Sequence, residues 1–339
     1  MESALETYLA SHLPGAPGVT VSKLFRIPGG ASRETWMFDA AWSENGEPRS
    51  APFIVRKDPP GSLVESDREV EYAFYSAFGG HPIVPVPGMR WLEKDPQHLG
   101  APFFIMDRIL GCEANPRLIQ TQPYDGSRPA LAKRFYEILA AIATSDEAVA
   151  SVSKLVPVPM PETAWSHELD YWEGMIDANE MGPQPIARAA VRWLRANPPP
   201  PAQRVSAVHG DYRVGNFLYR PDGIYGVVDW EMAHLGDPLE DLAWSFHELW
   251  EWGRPGQKGG IIPASDAIAI FEHASGLHVA PEALHWWEVF SGVKAQGIWL
   301  TGARSFQDGK SREVMLAQTS WSLINRADEI LLRLLGRAP

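Results

Sequence analysis

The chain has 339 residues, 45% hydrophobic and 21% charged, which is ample apolar material for one large or two smaller lobes and too few charges for a disordered or coiled-coil chain. Against 42 acids stand 30 bases, a net charge of −12, and this argues against a nucleic-acid partner, because phosphate contacts need clustered Lys and Arg. A single cysteine, Cys112, excludes an internal disulfide and a cysteine-based zinc site. No run of about 18 apolar residues reads as a membrane span, and acids near the N-terminus stand where a signal peptide carries bases. The expected setting is cytoplasmic, with no membrane association.

Leu5, Tyr8, Leu9 and Leu13 recur at helical spacing, so a short amphipathic helix opens the chain. Three β-rich runs follow: Val19 to Ile27, Thr35 to Trp42 and Pro52 to Lys57. Gly29-Gly30 separates the first two and Asn45-Gly46 the next two. Both pairs tolerate positive φ in tight turns, and the pattern predicts a three-stranded antiparallel meander. Leu63 to Phe78 places Val70, Phe74 and Phe78 on one helical stripe; Val84 to Leu92 and Pro102 to Ile109 read as two more strands. Beyond Leu110-Gly111, six segments show 3.6-residue recurrence: 130–145, 165–179, 186–197, 239–250, 281–301 and 312–335. The prolines Pro198 to Pro201 and two short β-like segments, Val205 to Val208 and Ile224 to Val228, interrupt them. The expected fold class is α+β, with a small β-rich lobe over residues 1–107 and a larger, mostly helical lobe over 108–339.

Chemistry concentrates in His209-Gly210-Asp211-Tyr212-Arg213-Val214-Gly215-Asn216 and in Val227-Val228-Asp229-Trp230-Glu231. One β run delivers Asp211 into a tight loop, Asn216 follows five positions later, and a second strand delivers Asp229. The three are expected to meet at the mouths of two adjacent short strands. Mg²⁺ takes one or two carboxylates plus phosphate oxygens, a demand that Asn216 and Asp229 suit, while Asp211 is free to accept a proton. Asp-x4-Asn is also the spacing of the protein-kinase catalytic loop, where the Asp takes the substrate hydroxyl proton and the Asn holds a metal. Glu231 replaces the glycine of Asp-Phe-Gly and adds another oxygen.

These motifs, with VVDWEMAHLGDPLEDLAW from Val227 to Trp244, resemble the aminoglycoside phosphotransferase and choline-kinase-like family. Within it the chain is similar to the kinase-like domain fused to some acyl-CoA dehydrogenases. The resemblance implies a protein-kinase-like bilobal fold and an ATP- or GTP- and Mg²⁺-dependent transfer to a hydroxylated small molecule. It implies Asp211 as base, Asn216 and Asp229 as metal ligands, and His209 as a brace for the loop, with Asp237 and Asp241 supporting it. Arg213 would neutralise charge on the transferring group. On the nucleotide side it implies Gly30 and Ser32 in the glycine turn, Arg56 or Lys57 on the third strand, and Glu71 or Glu69 on the next helix. The connector Met106, Asp107 and Ile109 would meet the base. The two adjacent cations point to opposite faces of a strand; Arg56 and Glu71 fit the family spacing better.

The net negative charge favours a cationic acceptor, whereas fourteen Trp and the dehydrogenase-linked resemblance favour a non-antibiotic metabolite. Trp residues after the metal motif and the 253–260 loop would wall and cover the acceptor. The competing reading is a pseudokinase that binds nucleotide or a partner without transfer. Monomer and homodimer both remain open.

Overall fold

The structure, a computed structural model, describes residues 1–13, 18–27, 34–58, 67–310 and 314–337. Helix α1 (Glu2–His12) precedes strands β1 (Thr20–Arg26), β2 (Glu34–Glu44) and β3 (Glu47–Lys57), then helix α2 (Arg68–Ala77) and strands β4 (Met89–Glu93) and β5 (Phe103–Asp107). They form one antiparallel sheet of order β1-β2-β3-β5-β4. Asn45 and Gly46 close the β2–β3 hairpin with φ of 55° and 82°, the two positive values that a type I′ turn demands. β3 begins at Glu47, five residues before the expected start. Pro48 and Pro52 are tolerated because β5 pairs only from Phe53 onward, so at the prolines a single neighbouring strand needs hydrogen bonds.

Strand alternation divides the side chains of this lobe. Phe53, Val55, Phe103 and Ile105 pack with Leu5, Tyr8 and Leu9 of α1 on the outer face. Ile54, Phe104 and Met106 face the other way and join a core that continues through α2 into the helical lobe. At the join, Trp230 is fully buried against Phe74, Tyr75 and Phe78. A tryptophan buries about 200 Å², worth roughly 5 kcal/mol of transfer free energy.

The second lobe holds α3 (Arg128–Thr144), α4 (Asp146–Val152), α5 (Ala164–Asn179) and α6 (Pro185–Ala196). Short strands β6 (Ser206–Val208), β7 (Phe217–Arg220), β8 (Gly223–Val227) and β9 (His234–Gly236) follow, then α7 (Leu239–Phe246), a 3₁₀ turn at Glu248–Glu251 and the two-residue strands β10 (Gln257–Lys258) and β11 (Ile262–Pro263). Helices α8 (Ala264–Ser275), α9 (Pro281–Gln307), α10 (Val314–Gln318) and α11 (Ile324–Leu334) complete the lobe. The bilobal α+β architecture is the one expected. The stretch 239–250 is not one helix, because it breaks at His247, and α4, β7, β9 and α8 have no counterpart among the expected elements. Among the described residues no helix is long and apolar enough to cross a membrane.

Candidate active site

The strands that deliver Asp211 and Asp229 are not sheet neighbours, contrary to expectation. β6 pairs with β9, and β8 pairs with β7. Asp211, Asn216 and Asp229 nonetheless come together, through local bonds. The β7–β8 ladder runs one step past its end, with the Val228 N–H on the Asn216 carbonyl at 2.9 Å, which sets Asn216 and Asp229 at the same mouth. His209 Nε2 donates to the Val228 carbonyl at 3.0 Å, and its Nδ1 accepts from the Asp211 N–H at 3.1 Å. Both bonds need a neutral imidazole carrying its proton on Nε2. Burial supplies that state by pushing the His209 pKa down to about 4. Asp241 accepts from the N–H groups of His209 (2.6 Å) and Gly210 (2.9 Å), so it clamps the turn from below. Burial and neighbouring Glu240 push its pKa up to about 7. Gly210 is required twice over: its φ is +81°, and a Cβ there would lie 2.3 Å from the Met232 carbonyl oxygen. Asp237 does not reach the turn. It accepts from the Leu239 N–H at the start of α7 and from the Trp287 indole.

Asp211 is held on both oxygens. Oδ1 accepts from the Trp244 indole at 2.7 Å, Oδ2 from Asn216 Nδ2 at 2.7 Å, and Arg213 Nε lies 3.0 Å from each. Arg213 in turn stacks over the Trp250 ring at 5.0 Å. Asn216 spends its amide donors on the Asp211 carbonyl and carboxylate, at 2.8 and 2.7 Å.

Across the cleft, the β3 register separates the two adjacent cations. Arg56 shares the inner face with Ile54 and is buried. It lies 3.0 Å from Glu71, 2.7 Å from Asp229 and 3.5 Å from Glu231. Lys57 is turned to the other face, where it pairs with Glu34 at 3.2 Å. Glu71 is likewise the inward acid, held also by Arg68, which reaches on to Asp58. Glu69 pairs with the exposed Lys94. Burial works against the Asp229 carboxylate, but the Arg56 guanidinium outweighs it and holds the pKa below the usual range. Asp229 also has φ of +74°, an uncommon conformation for a non-glycine residue that concentrates at functional sites. The Tyr75 hydroxyl, 2.8 Å from the Asp229 N–H, steadies it.

Met106 belongs to β5 on the face that joins the shared core, Asp107 pairs with Arg90, and the Asp107 N–H is taken by the Gly88 carbonyl. The Arg108 N–H is taken by the Pro52 carbonyl. Gly30 and Ser32 lie outside the described residues. Sequence reasoning assigned no role to Trp244, Tyr75 or Arg68. Trp244 stands in the VVDWEMAHLGDPLEDLAW motif, but nothing in one sequence says that its indole reaches 33 residues back to Asp211.

The oxygen set fits a divalent cation. Asn216 Oδ1 and the Asp229 carboxylate are hard oxygen atoms of the kind such an ion takes, and the Arg56 bond engages the Oδ1 atom of Asp229.

A profile of the phosphotransferase enzyme family matches residues 24–298. A probable acyl-CoA dehydrogenase of Arabidopsis thaliana is 28% identical over 71% of this chain and 30% of its own length. The human acyl-CoA dehydrogenase family member 11 is 24% identical over 90% of this chain and 40% of its own length. The chain thus spans less than half of these curated relatives. Among solved structures, a Ralstonia eutropha protein provisionally described as an aminoglycoside phosphotransferase superposes with a TM-score of 0.73 at 21% identity, covering 99% and 98% of the two chains. Aminoglycoside phosphotransferase APH(4)-Ia, solved with AMP-PNP and hygromycin B, gives 0.60 at 18% identity over 98% of each chain. The matched span includes the Asp211 turn, the Asn216–Asp229 mouth and the Arg56–Glu71 pair, and the chain belongs to the phosphotransferase enzyme family.

Proposed function

We propose that this chain moves the terminal phosphoryl group of ATP or GTP to a hydroxyl of a small molecule. The supporting observation is a pair of bonded couples, Asp211 with Asn216 and Asp229 with Arg56, brought side by side by the backbone bond from the Val228 N–H to the Asn216 carbonyl. Phosphoryl transfer asks little covalent chemistry of a protein; positioning and charge neutralisation supply most of the acceleration. Residues 1–107 carry the nucleotide and 108–339 the catalytic and acceptor groups. Arg56, fixed by Glu71, meets the phosphates, and Ile54 and Met106, which keep a small exposed edge on the same sheet face, offer an apolar bed to the base. Mg²⁺, held by Asn216 and Asp229, would neutralise phosphate charge. Asp211 takes the hydroxyl proton, aimed by Trp244 and Asn216, while Arg213 lends positive charge beside the transferring group.

Trp244, Trp250 and Trp252 stand in contact beside Asp211, with ring centroids 5.4 and 5.8 Å apart. Glu248 and Glu251 on the same segment are neutralised by Arg333 and Lys258. An aromatic wall with paired acids supports a hydroxylated metabolite with an apolar face rather than a polycationic antibiotic. The test is ATP- and GTP-dependent phosphorylation across a panel of hydroxylated acceptors, with Asp211→Ala as control. Transfer that survives this substitution removes the assignment. Nucleotide binding without transfer to any acceptor replaces it with the pseudokinase reading.

A further inference from the structure

Four charged residues outside the steps above are packed together: Glu168 on α5, His234 opening β9, Glu240 on α7 and Lys294 on α9. Lys294 Nζ donates to Glu240 Oε1 at 2.7 Å, and these side chains are 1% and 0% exposed. Glu240 Oε2 lies 3.1 Å from His234 Nε2, and Glu168 Oε1 lies 3.5 Å from it. The ligand atoms of Glu168, His234 and Glu240 fall within 4.8 Å of one another, a spacing that could hold a metal. The Lys294 ammonium already supplies the cation there, so the group is an ion-pair quartet. It is not self-contained. Lys294 Nζ sits 5.1 Å from the Trp244 ring centroid and 5.6 Å from that of Trp172. The Trp244 indole N–H is the one that holds Asp211 Oδ1.

We propose that Lys294 is a positioning residue for phosphoryl transfer, acting through Trp244 on Asp211. A buried ammonium over an indole face is attracted by the ring quadrupole and, in the absence of water, holds the ring strongly. The same charge draws electron density from the ring, which makes the edge N–H a better donor to a carboxylate. The Trp244 ring is thereby fixed at its face by a cation and at its edge by the base, and Glu240, His234 and Glu168 keep that cation in place. Small displacements of a catalytic group carry large rate costs, so a device two residues away from the base matters to turnover. This inference rests on the phosphotransfer reading of Asp211.

The test uses the full chain with Mg-ATP, water serving as the acceptor, and the ¹⁵N–¹H resonance of the Trp244 indole, assigned by its loss in Trp244→Phe. In Lys294→Met the resonance should move upfield, and kcat for ATP hydrolysis should fall about tenfold with KM for ATP within about twofold of the starting value. Lys294→Arg should restore both, and Lys294→Met should cost nothing further in a Trp244→Phe background. Should Lys294→Met not fold, Lys294→Met/Glu240→Gln removes opposite charges together, leaves the Glu168–His234 pair intact, and carries the same expectations. A folded variant with an unmoved resonance and unchanged kcat overturns the proposal, as does additivity with Trp244→Phe. If the unmodified chain transfers phosphate neither to water nor to any hydroxylated acceptor of the panel, the phosphotransfer reading fails, while the resonance still decides whether Lys294 acts on Trp244.

Discussion

Arg56→Met removes one guanidinium that serves three carboxylates, Glu71, Asp229 and Glu231, from a position only 6% exposed. Burial acts against the Arg56 charge, yet Glu71 and Asp229 more than offset it, so its pKa stands well above the usual range. Taking one partner from a buried pair costs about 3–5 kcal/mol, because the remaining charge is left uncompensated. Here Arg68 still covers Glu71, and the Asp229 side chain is 31% exposed, so the lower end applies, about 3 kcal/mol. With Arg56 as the proposed phosphate-binding cation, its loss should also raise KM for ATP about tenfold. Arg56→Lys keeps the charge without the fork and should fall between. The neighbouring change Lys57→Met loses a partly exposed pair with Glu34, worth about 0–1 kcal/mol, and should leave kcat and KM alone. Urea unfolding at pH 7.5 and steady-state ATP kinetics measure both effects. Equal stability of the two Met variants, or nucleotide loss on the Lys57 side, would refute the face assignment.

Asp211→Asn preserves shape and removes the proposed base: kcat should drop about 10²–10⁴-fold while ATP affinity by calorimetry changes little. Asp229→Asn and Asn216→Ala should each raise the Mg²⁺ concentration needed for half-maximal turnover about tenfold; an unchanged magnesium titration excludes them as ligands. Gly210→Ala must adopt positive φ and displace the Met232 carbonyl, which should cost about 2–4 kcal/mol in unfolding free energy, and stability equal to wild type would contradict the clash. His234 is pushed up to about 10; burial opposes the charge, but Glu168 and Glu240 outweigh it. Its folded pKa exceeds its unfolded value, so its stabilisation is complete below about pH 6.5 and is lost as pH rises toward 10. Between pH 7 and 9 the wild type should lose up to about 1.4 kcal/mol per pH unit more than His234→Gln, and parallel slopes would speak against it.

How much the sequence reveals differs from place to place. The Asn45-Gly46 hairpin, α2 and the sheet's alternation were legible because two-residue turns, 3.6-residue recurrence and period-2 burial are local rules. That same alternation puts Arg56 and Lys57 on opposite faces, but only the packing of α1 on one face and α2 on the other says which faces the cleft. β7 and β9 are four and three residues long, too short for any periodicity; β7 closes a tight hairpin with β8, whereas β9 exists because β6, well before it in the chain, completes its ladder. The partnership of β6 with β9 instead of β8 is a tertiary outcome of this kind. Trp244 was visible as a residue and invisible as a donor to Asp211, since that bond spans 33 positions.

One short helix explains why the acidic motif after Asp229 is so dense. All eight residues of α7 are buried, which is unusual for a segment carrying two acids. Glu240, Asp241 and Trp244 stand at positions i, i+1 and i+4. The i and i+4 side chains share a face, which brings the Glu240–Lys294 pair under the Trp244 ring. The intervening Asp241 points toward the β6 turn and accepts its two N–H groups. Loop geometry, base orientation and the buried ion pair are thus referred to a single rigid element just over two turns long. A change that rotates α7 disturbs all three at once, whereas a change confined to Asp237, which caps the helix start and binds Trp287, should act on stability before it acts on chemistry. That difference in order, stability first for the cap and turnover first for Trp244, follows from where each side chain leaves the helix.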